Sequence, residues 1–451
     1  MQIAPLCRLA AVVLLAASGC KAGLAPTAGY LCRDCNVVLI SVDTLRADHV
    51  GTHGYSRPTT PNIDALAARA VVFDNAIAQS SWTRAAHMSI FTGLHPREHG
   101  YVALADRERL PDGVPTIASV LRHQGYATVG FAGGVNVAAA YGFDQGFDSY
   151  RSSGRMFRDN FEEARYWLGE NSHKRFFLFL HGYEAHTPYS SDPSDRIALG
   201  LPRDTRTKGL RAVCKKGEDP AQILPFIDAY DSAIHRADRY VGKLLAELDR
   251  LGLRERTVVV LLSDHGEEFL EHGGCFHIST LYHEVLQVPL MIAAPGLGVR
   301  RVAEAVSASV TIAPTIMELL GITGHPFPGP SLVAAVLGGA VPEQPIVSET
   351  ERSEKAEGFG HLRALTTAGE KLVDWITNDR REYFELRGDP AEKRPVENPS
   401  RVEALRVSLA RWTESHPPRI SSRRSDSEQD PGSAEETKKL EEELRSLGYL
   451  Q

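Results

Sequence analysis

Two apolar runs that each end in an aspartate constrain the fold of this chain most strongly. NVVLISVD spans residues 36–43, and TVVVLLSD spans residues 257–264. Continuous apolar runs of this length predict strands that are buried on both faces, as in a parallel sheet. Ligands of such sheets bind outside the carboxyl ends of the strands. The two runs therefore predict that Asp43 and Asp264 lie at one functional edge of the sheet.

Helix-like and strand-like segments alternate along the rest of the chain. The pattern predicts helices over 61–70, 116–125 and 227–252, and strands over 127–133, 175–183 and 288–296. This alternation predicts an α/β fold with a mostly parallel central sheet covered by helices on both faces.

The domain organisation follows from where these patterns begin and weaken. Short strand patterns after about residue 340 predict a smaller C-terminal α+β subdomain, and the polar stretch from residue 414 predicts a linker. The expected segments are a signal peptide (1–20), a tether (21–35), a large α/β domain (36–335), a C-terminal subdomain (336–413), and a polar linker with a short terminal helix (414–451).

The charge of the chain argues against a nucleic-acid partner. The net charge is −7, and the sequence has no long basic run, whereas proteins that bind nucleic acid carry basic patches. Hydrophobic residues make up 43% of the chain and charged residues 24%, as in an ordinary globular protein.

The N-terminal segment predicts export. Arg8 precedes the apolar run LAAVVLLAA, and small residues then lead to Cys20, which is a secretory pattern too short to span a membrane. The ending ASGC resembles a bacterial lipobox, although Ala17 stands where Leu is usual. We therefore expect cleavage before Cys20, lipidation of its thiol, and a lipid-anchored protein in the bacterial cell envelope, facing the periplasm. A simple cleaved signal with an incidental cysteine is the alternative.

Four cysteines of the mature chain fit an oxidising compartment. Cys32, Cys35, Cys214 and Cys275 can pair in three ways. Cys32-Arg33-Asp34-Cys35 could form a redox pair or half of a zinc site. The sequence has no second CxxC, so we expect a structural Cys32–Cys35 disulfide before the first strand.

Adjacent carboxylate and imidazole groups predict a metal site. Asp264 and His265 follow the second buried run, and both side chains are common ligands of divalent cations. An aspartate that caps a loop beside a surface histidine is the alternative. Asp43 at the end of the other strand favours the metal site.

Several motifs, in order along residues 36–395, carry a family resemblance. They are residues 36–78, FTGLHP (91–96), HTPY (186–189), SDHGEEFLEHGG (263–274), LYHEVLQVPL (281–290) and EYFELRGDPAE (382–392). Together they resemble the sulfatase branch of the alkaline phosphatase superfamily. The resemblance implies an alkaline phosphatase-like sandwich and a metal-dependent ester hydrolase or transferase.

The resemblance also draws attention to the stretch SSWTRAAHMSIFTG (80–93). Sulfatases carry CxPSR nine residues before the threonine of a TG pair, and its cysteine becomes the formylglycine nucleophile. Counting back nine from Thr92 reaches Thr83, and the proline, serine and arginine positions hold Ala85, Ala86 and His87. Threonine cannot become formylglycine, so the usual sulfatase chemistry is not expected here.

Threonine at this position resembles other branches of the superfamily. Lipoteichoic acid synthases, phosphoethanolamine transferases and nucleotide pyrophosphatase/phosphodiesterases attack phosphorus with a metal-bound threonine. By this resemblance Thr83 is the expected nucleophile. Thr83 could also be the N-cap of the following helix, and the two roles are compatible. Ser80 and Ser81 are the remaining candidate nucleophiles.

The same resemblance implies the ligands of the metal. Asp43, Thr83, Asp264 and His265 match the four-ligand site of the threonine branch. Sulfatases instead have a second aspartate where this chain has Thr44, and many have asparagine in place of His265. A site of one histidine and several oxygens suits Mn, Zn, Ca or Mg.

Further histidines and one glutamate form a second group of candidates. His186 and His277 match family positions that contact the transferred group or serve the leaving group. His181 and Glu184 are candidate ligands of a second metal or of substrate. His87 either replaces the missing arginine as an oxyanion partner or faces solvent on the helix. Each of these histidines could instead make only a structural hydrogen bond, and His272 receives no role.

Three functions remain open at this point. The first is hydrolysis or transfer of phosphate esters or phosphodiesters through Thr83. The second is sulfate ester hydrolysis without formylglycine. The third is a non-catalytic binding lipoprotein on the same fold. The expected partners are an anionic ester, such as a lipid head group or a glycan, and the membrane through the lipid anchor.

Overall fold

A computed structural model describes residues 32–102, 109–152, 156–201, 209–216, 220–341, 343–351 and 360–420. The expected signal peptide with Cys20, the tether up to residue 31, and the linker and terminal helix from residue 421 onward lie outside the described residues. Among the helices described, none is both long and apolar enough to cross a lipid bilayer.

The described residues form fourteen strands. They are β1 (Asn36–Val42), β2 (Val71–Ile77), β3 (Ala127–Ala132), β4 (Ser149–Ser152), β5 (Phe176–Gly182), β6 (Thr257–Leu262), β7 (Glu268–Phe269), β8 (Cys275–Phe276), β9 (Gln287–Ala293), β10 (Arg300–Ser307), β11 (Ile346–Glu351), β12 (His361–Thr366), β13 (Glu370–Trp375) and β14 (Arg380–Glu385).

Twelve α-helices accompany these strands in the described parts of the chain. They are α1 (Pro61–Ala67), α2 (Thr83–Thr92), α3 (Pro96–His99), α4 (Ile117–His123), α5 (Phe157–Asn171), α6 (Pro193–Ala198), α7 (Leu210–Lys216), α8 (Leu224–Arg250), α9 (His283–Leu286), α10 (Ile312–Leu319), α11 (Val333–Val336) and α12 (Pro399–Ser415).

Eight strands form the central sheet in the order β10-β2-β9-β6-β1-β5-β3-β4. Strand β9 runs antiparallel to its neighbours β2 and β6, and the other neighbouring pairs are parallel. The predicted mostly parallel sheet is therefore confirmed, with one antiparallel member. Since β1 lies directly between β5 and β6, the carboxyl ends of these three strands meet at the centre of one sheet edge.

Helices cover both faces of the central sheet, because side chains of a strand alternate between its two faces. Val37 and Leu39 of β1 belong to a buried cluster that includes residues of α2, α4 and α10. Val38 and Ile40 belong to the opposite cluster, which includes residues of α1, α5 and α8. The continuous apolar run of β1 is thus explained by a strand that packs against helices on both sides.

The C-terminal subdomain is a four-stranded antiparallel sheet in the order β11-β12-β13-β14. Helix α12 packs on it through Leu405, Leu409 and Trp412, which share a buried cluster with Val347 and Leu372. The predicted subdomain is confirmed, and α12 extends to Ser415, slightly into the stretch expected to be a linker.

Two disulfides join the described cysteines. Cys32 pairs with Cys35 immediately before β1, as expected. Cys214 of α7 pairs with Cys275 of β8, a pairing that the sequence left open. The second disulfide anchors α7 to the segment that leads to His277.

A buried glutamate, Glu392, connects the subdomain to the main domain. Lys371 Nζ lies 2.8 Å from Glu392 Oε1, and both side chains are almost fully buried. Glu392 also accepts hydrogen bonds from main-domain groups, namely His272 Nε2 at its carbonyl (2.8 Å) and the His283 N–H at its carboxylate (3.1 Å). One glutamate therefore ties the C-terminal sheet to the chain that follows β8.

We expect Lys371→Ala to destabilise the protein by about 3–5 kcal/mol, because it leaves the Glu392 carboxylate buried without its cation. Denaturant unfolding measures this change. Arg406→Ala is the control, since Arg406 pairs with Glu403 on the exposed face of α12 and should change stability little. Equal effects of the two substitutions would contradict the importance of the buried pair.

Candidate active site

The carboxyl ends of β1 and β6 bring two aspartates together. Asp43 and Asp264 are both fully buried. Thr44 adopts the left-handed conformation, with φ of 55°, and turns the chain sharply after β1. This turn lets the Thr44 N–H donate to Asp264 Oδ1 over 3.2 Å. The Leu45 N–H likewise donates to Ser263 Oγ over 2.9 Å, so the two strand ends are joined directly.

The two carboxylates fit a divalent cation. Asp43 Oδ1 and Asp264 Oδ2 are buried and have no hydrogen-bond partner, which is costly for a carboxylate oxygen. Burial, together with the charge of Asp264, raises the pKa of Asp43 well above its ordinary value. One ligand atom from each of Asp43, Asp264 and His265 lies within 4.8 Å of the others. A cation among them would supply the missing partner and the missing positive charge.

Thr83 lies at the start of α2, beside this group. Trp82 is the N-cap residue and Thr83 is the first helical residue, so the expectation that Thr83 is the N-cap is wrong. The Thr83 hydroxyl lies 3.0 Å from His265 Nε2. His265 donates its Nδ1–H to the Gly266 carbonyl over 2.9 Å, which leaves Nε2 as an acceptor for the Thr83 hydroxyl. The nucleophile candidate is thus bonded to a candidate metal ligand.

His87 is buried beneath the aspartates. His87 lies one helical turn after Thr83, so its Nδ1–H donates to the Thr83 carbonyl over 2.9 Å. Its Nε2 accepts a hydrogen bond from the Ser41 hydroxyl over 2.9 Å. Burial lowers the pKa of His87 to about 3, so the ring is neutral. The expectation of a solvent-facing residue is wrong. Both ring nitrogens bond to the protein, a geometry that favours support of Thr83 over contact with an oxyanion.

His186 and His277 lie over the same site. The ring centroid of His277 is 4.5 Å from that of His265 and 5.0 Å from that of His186. His186 stacks on Tyr183 at 4.4 Å and donates its Nδ1–H to the Thr187 carbonyl. Burial lowers the pKa of His186 to about 3. The structure therefore places the ring of His277 next to that of His265, which contacts Thr83, and the ring of His186 next to that of His277.

His181 and Glu184 separate in the structure. His181 is the last but one residue of β5, and its Nε2 lies 3.2 Å from Asp43 Oδ2. Glu184 instead accepts the N–H groups of Phe157 (3.0 Å) and Arg158 (3.4 Å) at the start of α5. Glu184 therefore stabilises a helix end, and the geometry does not support the two residues as a joint second metal site.

The remaining serines are less well placed than Thr83. The hydroxyls of Ser80 and Ser81 are buried and have no hydrogen-bond partner, and neither bonds to the metal group. This leaves Thr83 as the hydroxyl that the structure joins to His265.

A second cluster, Glu268, His272 and Glu284, also has metal-like spacing. Both nitrogens of His272 are already bonded, Nδ1 to Glu284 (2.6 Å) and Nε2 to the Glu392 carbonyl (2.8 Å). Glu268 accepts the N–H groups of His272 and Gly274. His272 thus serves the contact between the domains.

One buried residue near the site, Glu267, was not predicted from the sequence. Glu267 is fully buried, and its Oε1 lies 3.1 Å from His277 Nδ1. The available signal was its place in SDHGEEF, two residues after His265. An acidic residue at this position does not by itself predict a partner. Only the folded chain shows that His277 lies beside it.

Comparison with known proteins identifies the family. A sequence model described as "Sulfatase" matches residues 35–322.

The chain belongs to the sulfatase family.

Relatives of this sulfatase-family protein are ester hydrolases. A Delta 4,5-hexuronate-2-O-sulfatase of Bacteroides thetaiotaomicron is 21% identical over 402 residues, which cover 80% of this chain and 84% of the relative. An arylsulfatase of Clostridium perfringens is 24% identical over 467 residues, which cover 84% and 94%. The protein is accordingly an ester hydrolase of the sulfatase superfamily, a metal-dependent family.

A solved structure confirms the fold of this family member. The phosphonate monoester hydrolase from Silicibacter pomeroyi superposes with a TM-score of 0.69 at 20% sequence identity, covering 85% of this chain and 96% of the other. The alkaline phosphatase-like architecture predicted from the motifs is thereby confirmed.

We expect Asp43→Asn and Asp264→Asn to abolish binding of Mn²⁺ and Zn²⁺, because each removes a charged ligand. Isothermal titration and elemental analysis of the purified protein measure the binding. In wild type, a cation at 100 times its Kd should add about 2.7 kcal/mol of stability. Asp249→Asn, which changes an aspartate at the end of α8, is the control and should bind as wild type does. Unchanged binding by both site variants would contradict the assignment.

Proposed function

We propose that the protein hydrolyses or transfers phosphate esters or phosphodiesters, with Thr83 as the nucleophile. The observation that carries this proposal is the 3.0 Å contact between the Thr83 hydroxyl and His265 Nε2, beside two buried aspartates with unsatisfied oxygens. This setting supports a nucleophilic role, because the hydroxyl lies at the start of a helix whose N–H groups favour an anionic substrate.

Asp43, Asp264, His265 and the Thr83 oxygen are the groups that would hold a divalent cation. When bound, such a cation lowers the pKa of a hydroxyl and offsets negative charge on the transferred group. Oxygen ligands with a single imidazole suit Mn, Zn, Ca or Mg.

The first half of the reaction is an in-line displacement. The Thr83 hydroxyl releases its proton to water, Oγ1 forms a bond to phosphorus as the bond to the leaving oxygen breaks, and the electron pair of that bond stays on the leaving oxygen. The ring of His277 lies next to that of His265, where it can donate a hydrogen bond to the transferred group or a proton to the leaving oxygen, and the ring of His186 lies next to that of His277. In the second half, water or an acceptor alcohol attacks phosphorus and releases Thr83.

His87, which accepts a hydrogen bond from Ser41, holds the backbone of Thr83 in place. His87 bonds to the carbonyl of Thr83, and its Nδ1 also lies 3.4 Å from Asp264 Oδ2. The residue that stands at the family's arginine position thereby links the nucleophile's backbone to a metal ligand.

Sulfate ester hydrolysis is the second candidate function. The names of the curated relatives favour it, whereas Thr83 opposes it because threonine cannot supply formylglycine. The phosphonate monoester hydrolase among the structural neighbours supports the leading proposal, since that protein's name denotes phosphorus chemistry. A non-catalytic binding protein is disfavoured by the unsatisfied carboxylate oxygens, which a decayed site has no reason to keep.

We also propose that the protein acts outside the cytoplasm, lipid-anchored through Cys20. The two disulfides support this location, because such bonds persist in oxidising compartments. Expression of Cys20→Ser should move the protein from the membrane fraction to the soluble periplasmic fraction. Retention in the membrane fraction would contradict the anchor.

We expect Thr83→Ala to lower kcat for an aryl phosphodiester by at least about 10³-fold, because it removes the proposed nucleophile, the hydroxyl that contacts His265 Nε2. Thr83→Ser, which keeps the hydroxyl, should retain part of the activity. Ser81→Ala is the matched control and should remain near wild type. The same variants assayed on an aryl sulfate discriminate the two functions, and a clear wild-type preference for sulfate would overturn the leading proposal. Full activity of Thr83→Ala would exclude Thr83 as the nucleophile.

A further inference from the structure

The turn after β1 is held in an unfavourable backbone conformation. Thr44 has a φ of 55°, in the left-handed region that a β-branched residue rarely occupies. In this conformation the Thr44 N–H donates to Asp264 Oδ1 over 3.2 Å. Asp43, the other carboxylate of the site, is the residue directly before the turn. Groups outside the turn must therefore hold Thr44 in place if both carboxylates are to keep their positions.

One side chain of α8 bonds to the backbone on both sides of this turn. Tyr230 donates its hydroxyl to the Thr44 carbonyl over 2.6 Å, and the same oxygen accepts the Arg46 N–H over 3.0 Å. The Thr44 hydroxyl adds a further restraint, because it donates to the Ala185 carbonyl over 2.7 Å. Together these three hydrogen bonds fix the peptide groups that flank the left-handed residue.

Tyr230 is itself fixed by its surroundings. The side chain is fully buried. Its ring lies against the rings of His49, Tyr189 and Phe269, at centroid separations of 5.0, 5.5 and 5.1 Å. The next residue of α8, Asp231, places Oδ1 2.6 Å from His49 Nδ1 and so ties the helix to the loop that follows the turn. The Tyr230 hydroxyl is therefore a rigid support for the turn.

We propose that Tyr230 is a positioning residue of the metal site, because its hydroxyl holds the turn that presents Asp43 and Asp264 to a divalent cation. With the Thr44 N–H bonded to Oδ1, Asp264 Oδ2 keeps no hydrogen-bond partner among the described residues. If the turn relaxed, Asp264 would lose this N–H donor, and Asp43 would move with the chain. The inference rests on the proposed function in one respect, namely that this site binds a cation.

The test compares two tyrosines whose hydroxyls bond to the chain at opposite ends of β1. Tyr230→Phe removes the hydroxyl at the carboxyl end. Tyr126→Phe is the matched control, because the buried Tyr126 hydroxyl donates to the Cys35 carbonyl over 3.0 Å, just before β1 begins. Each substitution removes one oxygen and keeps the ring. Denaturant unfolding of the metal-free proteins shows whether both variants fold.

We expect the Kd for Mn²⁺ and for Zn²⁺, measured by isothermal titration, to rise about 10–100-fold in Tyr230→Phe and less than about twofold in Tyr126→Phe, since groups that orient metal ligands change metal affinity by this much. Hydrogen exchange of the metal-free protein is the second readout. The amides of Thr44 and Leu45, which bond to side chains at the end of β6, should exchange at least about tenfold faster in Tyr230→Phe and at the wild-type rate in Tyr126→Phe.

An unchanged Kd or an unchanged exchange rate in Tyr230→Phe would overturn the proposal, and so would a wild type that binds neither cation. An equal rise of the Kd in Tyr126→Phe would also overturn it, because the effect would then be a general loss of stability. Phosphodiester turnover by the metal-loaded wild type separates this inference from the proposed function. Cation binding that depends on Tyr230 without turnover contradicts only the proposed function. Turnover with an unchanged Kd in Tyr230→Phe contradicts only this inference.

Discussion

The site depends on two carboxylates that the sheet places side by side in the protein interior. Asp43 and Asp264 follow neighbouring parallel strands, and each keeps one oxygen without a partner. Burial, and next the charge of Asp264, raise the pKa of Asp43. A divalent cation bound between the two aspartates would supply the positive charge that these carboxylates lack. The left-handed turn at Thr44 joins the two strand ends, and the helix that begins at Thr83 brings a hydroxyl to His265.

The buried histidines around the two aspartates are neutral. Burial keeps His87, His181 and His186 neutral, with pKa values lowered to about 3 or 4. Their Nδ1 atoms bond to backbone carbonyls, which fixes the ring orientations around Thr83. The buried rings at this edge of the sheet are therefore neutral and fixed in orientation.

Much of this architecture was predictable from local sequence. The apolar runs ending in Asp43 and Asp264 predicted both the parallel sheet and the edge that carries the site. The resemblance to sulfatases, through the spacing of their motif from Thr92, drew attention to Thr83. What could not be predicted were relations between distant residues. The sequence made Glu184 a candidate ligand, whereas in the folded protein its carboxylate binds the start of α5. Glu267 had no visible partner, since only the turn after β8 brings His277 back to it. The antiparallel direction of β9 likewise depends on its neighbours.

The central claim is that Thr83 carries the transferred group between the two halves of the reaction. The most direct measurement is mass spectrometry of peptides from protein that was quenched in acid during turnover of an aryl phosphodiester. The account predicts that the peptide containing Thr83 gains the mass of one phosphoryl ester group, and that fragmentation places this group on Thr83. Turnover without any adduct on Thr83, or an adduct on Ser80 or Ser81 instead, would contradict it.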